Sequence, residues 1–211
     1  MRTEIHLLDI QDKLNSPVTK YLDYFSPERR KKILRYKFLS DQNRTLWAEL
    51  LAKKLIADLT GKKFQDIIIK RDSNNKPYHE NFYFSLSHSA NWVACSIGSE
   101  INGVDIEFIS SRAKLEIVRR FYLPNEYNAI KFLHDNNRDW ERKFFEYWTL
   151  KESCLKCLNL HDWSGVDCEK LLSCRENIAG RNFFLNDLVV GCCTVKNFLP
   201  ESIIIEGGIN L

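Results

Sequence analysis

A chain of 211 residues, 44% hydrophobic and 28% charged, has a globular composition and enough length to bury a core without disulfides or a structural metal. Its 31 basic and 28 acidic side chains leave a net charge of +3, too small for bulk nucleic-acid binding though compatible with a local basic patch. No apolar run reaches the roughly 18 residues of a membrane-spanning helix, and residues 1–9 read as a strand, not a signal peptide, so the seven cysteines are expected to be reduced thiols in a cytoplasmic protein.

Ser26-Pro27-Glu28 has the marks of a helix start: a capping hydroxyl, proline in the first turn and an acid at the positive end of the dipole. Arg29, Arg30, Lys31, Lys32, Arg35 and Lys37 crowd the turns after it. Ser40-Asp41 marks a second start, and Ala48, Leu51, Ala52, Leu55, Ile56 and Leu59 recur at helical spacing until Thr60-Gly61. Residues 64–70 read as a strand and 72–77 as a turn. Alternation predicts strands over 82–87 and 92–97, with Asn102-Gly103 turning the chain into a strand over 104–108. Helices are predicted over 113–122, 124–134 and 141–158. Strands return between 164 and 206, strongest at 183–185, 189–190 and 203–205. With a composition break near 100–112, this reads as an α+β chain of two similar α/β halves, residues 1–103 and 104–211.

Asp105-Ile106-Glu107 carries the sharpest local signal. Residues two apart on a strand project to one face, so both carboxylates point together while Val104, Ile106 and Phe108 pack on the other. Paired oxygens on a rigid strand suit a hard divalent cation; a solvated strand face is the plain alternative. Glu152 lies one helical turn before Lys156, on a face shared with Phe145, Trp148 and Thr149. A surface ion pair is one reading of Glu152 and Lys156; a metal carboxylate with a phosphate-binding lysine one turn on is the other. Ser87-His88-Ser89 is expected to occupy a tight strand-end turn, offering hydroxyls, an imidazole and backbone N–H groups to an anion. No G-x-S-x-G sequence accompanies it, which removes a serine hydrolase. Arg29 and Lys32 share a helix face with Ile33 and Tyr36, a mixture that suits either solvent or a phosphate-rich ligand. Cys154-x-x-Cys157 lies inside a predicted helix without a second pair, and Cys168, Cys174, Cys192 and Cys193 do not complete zinc spacing. These thiols are read as buried or incidental.

Gly103-Val104-Asp105-Ile106-Glu107, with Trp148-Thr149-Leu150-Lys151-Glu152-Ser153-Cys154-Leu155-Lys156 downstream, resembles the signature of 4′-phosphopantetheinyl transferases of the surfactin-synthetase-activating type. Ser26 to Lys32, Asp41 to Thr45, Lys76-Pro77-Tyr78 and Phe84 to Ser89 extend the resemblance over about residues 20–160. It implies two α/β halves related by a pseudo-twofold, with the active site in the cleft between them. It implies transfer of the 4′-phosphopantetheine arm of coenzyme A to a serine of an apo acyl, peptidyl or aryl carrier protein, with release of adenosine 3′,5′-bisphosphate. Asp105, Glu107 and Glu152 match the family's metal-binding acids, for Mg²⁺ or Mn²⁺. Arg29, Lys32, Arg44, Lys76, Ser87 and His88 match positions that contact the nucleotide of coenzyme A, and Lys156 matches the lysine near its pyrophosphate. Arginine at position 29 stands where relatives often carry lysine, which keeps the charge and alters the geometry.

Glu152 and Lys156 are the catalytic residues this resemblance implies, with Glu152 as general base for the carrier serine, directly or through water. Carrier proteins of fatty-acid, polyketide and nonribosomal-peptide synthesis are acidic helical bundles, so Arg119, Arg120, Phe121 and Tyr122 are expected at a docking surface. A monomer without nucleic-acid or membrane partners is expected. Two other classes could use the same residues: a metal-dependent phosphodiesterase or nuclease, against which the near-neutral charge stands, and a non-catalytic binder of coenzyme A or acidic proteins.

Overall fold

The computed structural model describes residues 1–72, 76–136, 138–160 and 177–209, and every structural statement concerns these. Cys168, Cys174 and the strand content expected between 164 and 176 lie outside them.

The fold is α+β. A first sheet is built on β1 (Glu4–Asp9), which pairs antiparallel with β5 (Trp92–Gly98) and parallel with β9 (Ile203–Glu206); β4 (Tyr83–Ser89) lies antiparallel beyond β5. A second sheet sets β8 (Leu188–Val195) between β6 (Asn102–Phe108) and β7 (Ile178–Leu185), all antiparallel. A short ribbon joins β2 (Lys70–Arg71) to β3 (Pro77–Tyr78). The helices are α1 (Pro27–Leu34), α2 (Leu39–Thr60), α3 (Leu115–Phe121), α4 (Pro124–Asp135) and α5 (Trp140–Leu158). Among the described residues, no helix is long and apolar enough to cross a membrane.

Packing orders these parts into layers. Leu46, Leu50, Leu51 and Ile56 of α2 bury against Val93, Cys95 and Ile97 on one face of the first sheet. On the other face Ile5, Leu7 and Ala94 meet Val104, Ile106, Val190 and Cys192 of the second sheet. The alternation read for residues 104–108 is therefore the one that faces this inter-sheet core. α5 crosses the far face of the second sheet, and two glycines admit it. A Cβ at Gly103 would stand 2.0 Å from the Ser153 carbonyl oxygen, and one at Gly191 only 2.4 Å from the Thr149 backbone. Gly191 pairs with Asp105 across the β6–β8 ladder, so this close approach brings the helix down beside the acid.

α1 begins as its cap predicts, with Arg29 N–H donating to Ser26 Oγ at 3.3 Å. α2 starts at Leu39 without a side-chain cap, because its N-cap residue is Phe38, which has no side-chain acceptor to offer; Asp41, inside the first turn, pairs with Arg44 at 2.7 Å. It ends on Gly61, whose φ of 66° is the left-handed stop that glycine adopts without strain. Two expectations are corrected. Residues 64–70 form a short 3₁₀ turn at Phe64–Asp66 and only the last one enters a strand, because Lys53 Nζ takes the Ile67 carbonyl at 2.5 Å and withdraws it from any ladder. Asn102-Gly103 is not a turn but the start of β6, and the buried Asn102 amide donates to the carbonyls of Tyr83 and Glu100 at 3.0 Å each. The last strand crosses back to β1 in the first sheet, a choice of partner that periodicity does not encode.

Candidate active site

β4 and β6 are the facing edges of the two sheets, and serine hydroxyls stitch them together. Ser87 Oγ accepts from Ile106 N–H at 3.2 Å and donates to Asp105 Oδ1 at 2.8 Å. Two residues on, Ser89 Oγ accepts from Phe108 N–H at 3.0 Å and donates to Glu107 Oε2 at 2.8 Å. The period of two on both strands makes the stitch repeat. Ser87-His88-Ser89 thus belongs to β4 itself; the turn falls after it, at Ala90, with φ of 50°. The two serines orient the acids. His88 between them is exposed at the cleft mouth. Its pKa is drawn down, first by desolvation among the surrounding groups and then by the cations of Lys156 and Arg44.

Asp105 is buried, and its Oδ1 also receives Lys156 Nζ at 2.6 Å, which donates to the Val104 carbonyl at 3.1 Å as well. Its other oxygen, Oδ2, is buried without a hydrogen-bond partner. Glu107 is partly buried and pairs with Arg112 at 3.2 Å. Burial pushes its carboxyl above the ordinary value, and the charge of Asp105 adds to the shift against the pull of Ser89 and Arg112. Two desolvated carboxylates side by side, one with an oxygen unanswered, are a donor set that fits a hard divalent cation.

Among the described residues, no three His, Cys, Asp or Glu side chains gather closely enough to hold a metal ion. Each acid has its own cation: the ammonium group of Lys156 sits on Asp105 at 2.6 Å and the guanidinium of Arg112 on Glu107 at 3.2 Å. Glu152 is partly buried on α5, one turn before Lys156. Its neighbour Lys151 turns the other way, 1% exposed, and pairs with the equally buried Glu126 at 2.8 Å beneath the Tyr122 ring.

A cleft of about 420 Å³ opens beside the acids, lined by Arg29, Tyr36, Arg71, His88, Asp105 and Lys156 among others. Arg29 Nε and Arg71 Nη2 both donate to Glu49 Oε2, at 2.7 and 2.6 Å. Arg71 and Glu49 escape sequence reasoning. One sits in a stretch read as strand and turn, the other on the buried side of α2, and neither belongs to a charge pattern. Lys32 is exposed and borders a depression of about 320 Å³ shared with Arg29, Arg35 and Tyr36. Arg44 is engaged elsewhere, donating to the Ala90 carbonyl at 2.6 Å and to Asp41, which secures the β4–β5 turn. Lys76 donates to the backbone carbonyl of Lys156, and burial lowers its pKa. A larger cavity of about 550 Å³ runs past Lys76, Tyr78 and Phe82 and is lined by neither Asp105 nor Glu107, whereas Asp105 and Lys156 line the smaller cleft.

On α3, Arg119, Arg120 and Phe121 are exposed, with the Arg120 guanidinium 5.0 Å above the Phe121 ring. Tyr122 is not on this surface. It is 8% exposed, stacks on Phe144 and donates its hydroxyl to the Phe144 carbonyl at 3.0 Å, because the chain turns inward where α3 ends.

Residues 14–100 match the family model described as 4′-phosphopantetheinyl transferase, N-terminal, and residues 102–190 match that of the 4′-phosphopantetheinyl transferase superfamily. The chain belongs to this superfamily. It is 29% identical over 157 residues to the 4′-phosphopantetheinyl transferase gsp of Aneurinibacillus migulanus, covering 74% of this chain and 65% of that protein. It is 31% identical over 156 residues to psf-1 of Bacillus pumilus (72% and 66%) and 30% identical over 140 residues to Sfp of Bacillus subtilis (65% and 61%). Each match spans less than two thirds of the relative's own length.

Proposed function

We propose that this protein transfers the 4′-phosphopantetheine arm of coenzyme A to a serine of an apo acyl or peptidyl carrier protein, with adenosine 3′,5′-bisphosphate as the leaving product. Family membership supports the reading, and one geometric observation carries it: Lys156 and Asp105, 2.6 Å apart, stand in the same cleft as Arg29 and Arg71. A ligand with phosphates at both ends of a nucleotide finds cations on one side and a lysine-neutralised acid pair on the other.

In this reading Arg29, Arg71 and the exposed Lys32 bind the nucleotide's phosphates, and Lys156 faces the diphosphate. The serine oxygen bonds to the β-phosphorus as the bond to the α-phosphate oxygen breaks. Lys156 balances the negative charge that develops on the departing bisphosphate, and Glu152 takes the serine proton. Asp105 and Glu107 would hold Mg²⁺, which when bound neutralises the diphosphate; Ser87 and Ser89 aim the two carboxylates. Arg119, Arg120 and Phe121 form the docking face for an acidic carrier. The chain acts as a cytoplasmic monomer.

Intact-mass spectrometry tests the reading on several purified apo carriers incubated with the protein, coenzyme A and Mg²⁺. The expected result is a mass gain of one phosphopantetheine arm on at least one carrier. No gain on any carrier, with hydrolysis of a phosphodiester instead, overturns it.

A further inference from the structure

We propose that Glu49 is a positioning residue: its buried carboxylate holds the guanidinium groups of Arg29 and Arg71 together on the cleft wall and so shapes the surface that takes a phosphate of the nucleotide. The inference rests on the transfer reading above. Glu49 comes from the middle of α2 and is 3% exposed. One of its oxygens receives both arginines, from α1 at 2.7 Å and from β2 at 2.6 Å. A carboxylate buried this deeply is costly unless paired, and two guanidinium groups this close repel unless neutralised. Each charge makes the other two tolerable, and the trio keeps one net positive charge for the ligand. Lys53, one turn further along α2, does not share the task, since its Nζ donates to the carbonyls of Tyr24 and Ile67. The phosphate-binding wall is therefore assembled before a ligand arrives, which spares the ligand the ordering of two long side chains.

The idea separates cleanly from its opposite. A carboxylate that merely happened to lie near an anion site would weaken anion binding, and its removal would tighten it. A positioning carboxylate does the reverse. Isothermal titration calorimetry decides, using the full chain with adenosine 3′,5′-bisphosphate and with adenosine. Glu49→Gln is expected to weaken the bisphosphate about tenfold while leaving adenosine unchanged, by loss of a charge-assisted pairing. Glu49→Asp, which keeps the charge but withdraws it by one methylene, is expected to weaken it as well. The penalty of Arg71→Gln should largely vanish in the Glu49→Gln background, since an arginine no longer held contributes little. In turnover, KM for coenzyme A rises while kcat and the carrier KM hold.

Unchanged or tighter bisphosphate binding in Glu49→Gln, or additive losses in the double variant, overturns the proposal. Should Glu49→Gln fail to fold, Glu49→Asp decides by the same criterion. Wild-type protein that binds neither the bisphosphate nor coenzyme A overturns the transfer reading and this inference together, an outcome distinct from a wild type that binds and variants that bind equally well.

Discussion

The basic and acidic walls of the cleft hold like charges close together by different means. On the basic wall, Arg29 and Arg71 come from separate elements and meet only at Glu49, contributed by a third. On the acidic wall, Asp105 and Glu107 come from one strand, and the groups that steady them are Lys156 and two serine hydroxyls. The acids are neighbours by backbone geometry and would remain so in any well-formed β6. The arginines are neighbours only because α1, α2 and the β2–β3 ribbon dock as they do. One wall is local and rigid, the other tertiary and held by a single buried carboxylate.

The largest effect expected from this contrast is on the acidic wall. Asp105→Ala should lower carrier modification by about a thousandfold, the scale of losing a preorganised electrostatic group at a phosphoryl centre, measured as phosphopantetheinylated carrier by intact mass. Retention within tenfold of wild type would move the chemistry away from β6. Next comes the inner side of α5. Lys151→Met leaves Glu126 buried without its partner and should cost about 3–5 kcal/mol in urea unfolding, most of it recovered by adding Glu126→Leu. If the single variant is as stable as wild type, the pair does not anchor the helix that carries Lys156.

A smaller change sharpens the comparison further. Gly103→Ala puts a methyl group into the Ser153 carbonyl and must shift α5 off the sheet. The expected cost is about 1–3 kcal/mol, with a fall in transfer rate as Lys156 moves from Asp105, and no change in adenosine 3′,5′-bisphosphate binding at the basic wall. Equal damage to both walls would mean that they are not mechanically separate.

The smallest effect lies away from both. Burial alone would raise the Glu206 carboxyl, but hydrogen bonds from His6 and Lys54 outweigh it and leave the pKa below its ordinary value of 4.5. A depressed folded-state pKa contributes stability above the unfolded value, and that contribution disappears as pH falls through the folded one. Stability from the β1–β9 seam should therefore decline below about pH 4.5, and Glu206→Gln should flatten the decline by under about 1 kcal/mol between pH 5 and 3, tracked by thermal unfolding. An identical slope in the variant would assign acid sensitivity to other groups.

Much of the acidic wall is legible in the sequence. The i, i+2 spacing of Asp105 and Glu107 and the helical period that carries Lys156 are properties of one strand and one helix. Even the tight approach of α5 leaves a trace, in the glycine that precedes Asp105 by two. The place of Glu152 relative to those acids is not legible in the same way, because helical spacing says which face a residue occupies, not which charge on that face it meets. Tyr122 departs from the expected surface because an aromatic at a helix end suits a docking patch or a core equally well on paper. The serines of β4 resemble a turn because the residue types that favour turns also suit a strand edge that must bond sideways.

Composition, periodicity and local spacing by themselves determined an α+β chain with its long helices, the paired acids of β6, and the lysine poised one turn beyond Glu152. Each depends on backbone geometry within a few residues. The return of β9 to the first sheet, the stitching of β4 to β6, and the meeting of Arg29, Glu49 and Arg71 were decided by tertiary structure alone. Charges from distant elements become partners only when burial removes the water that would otherwise keep them apart, and no short stretch of chain records that event.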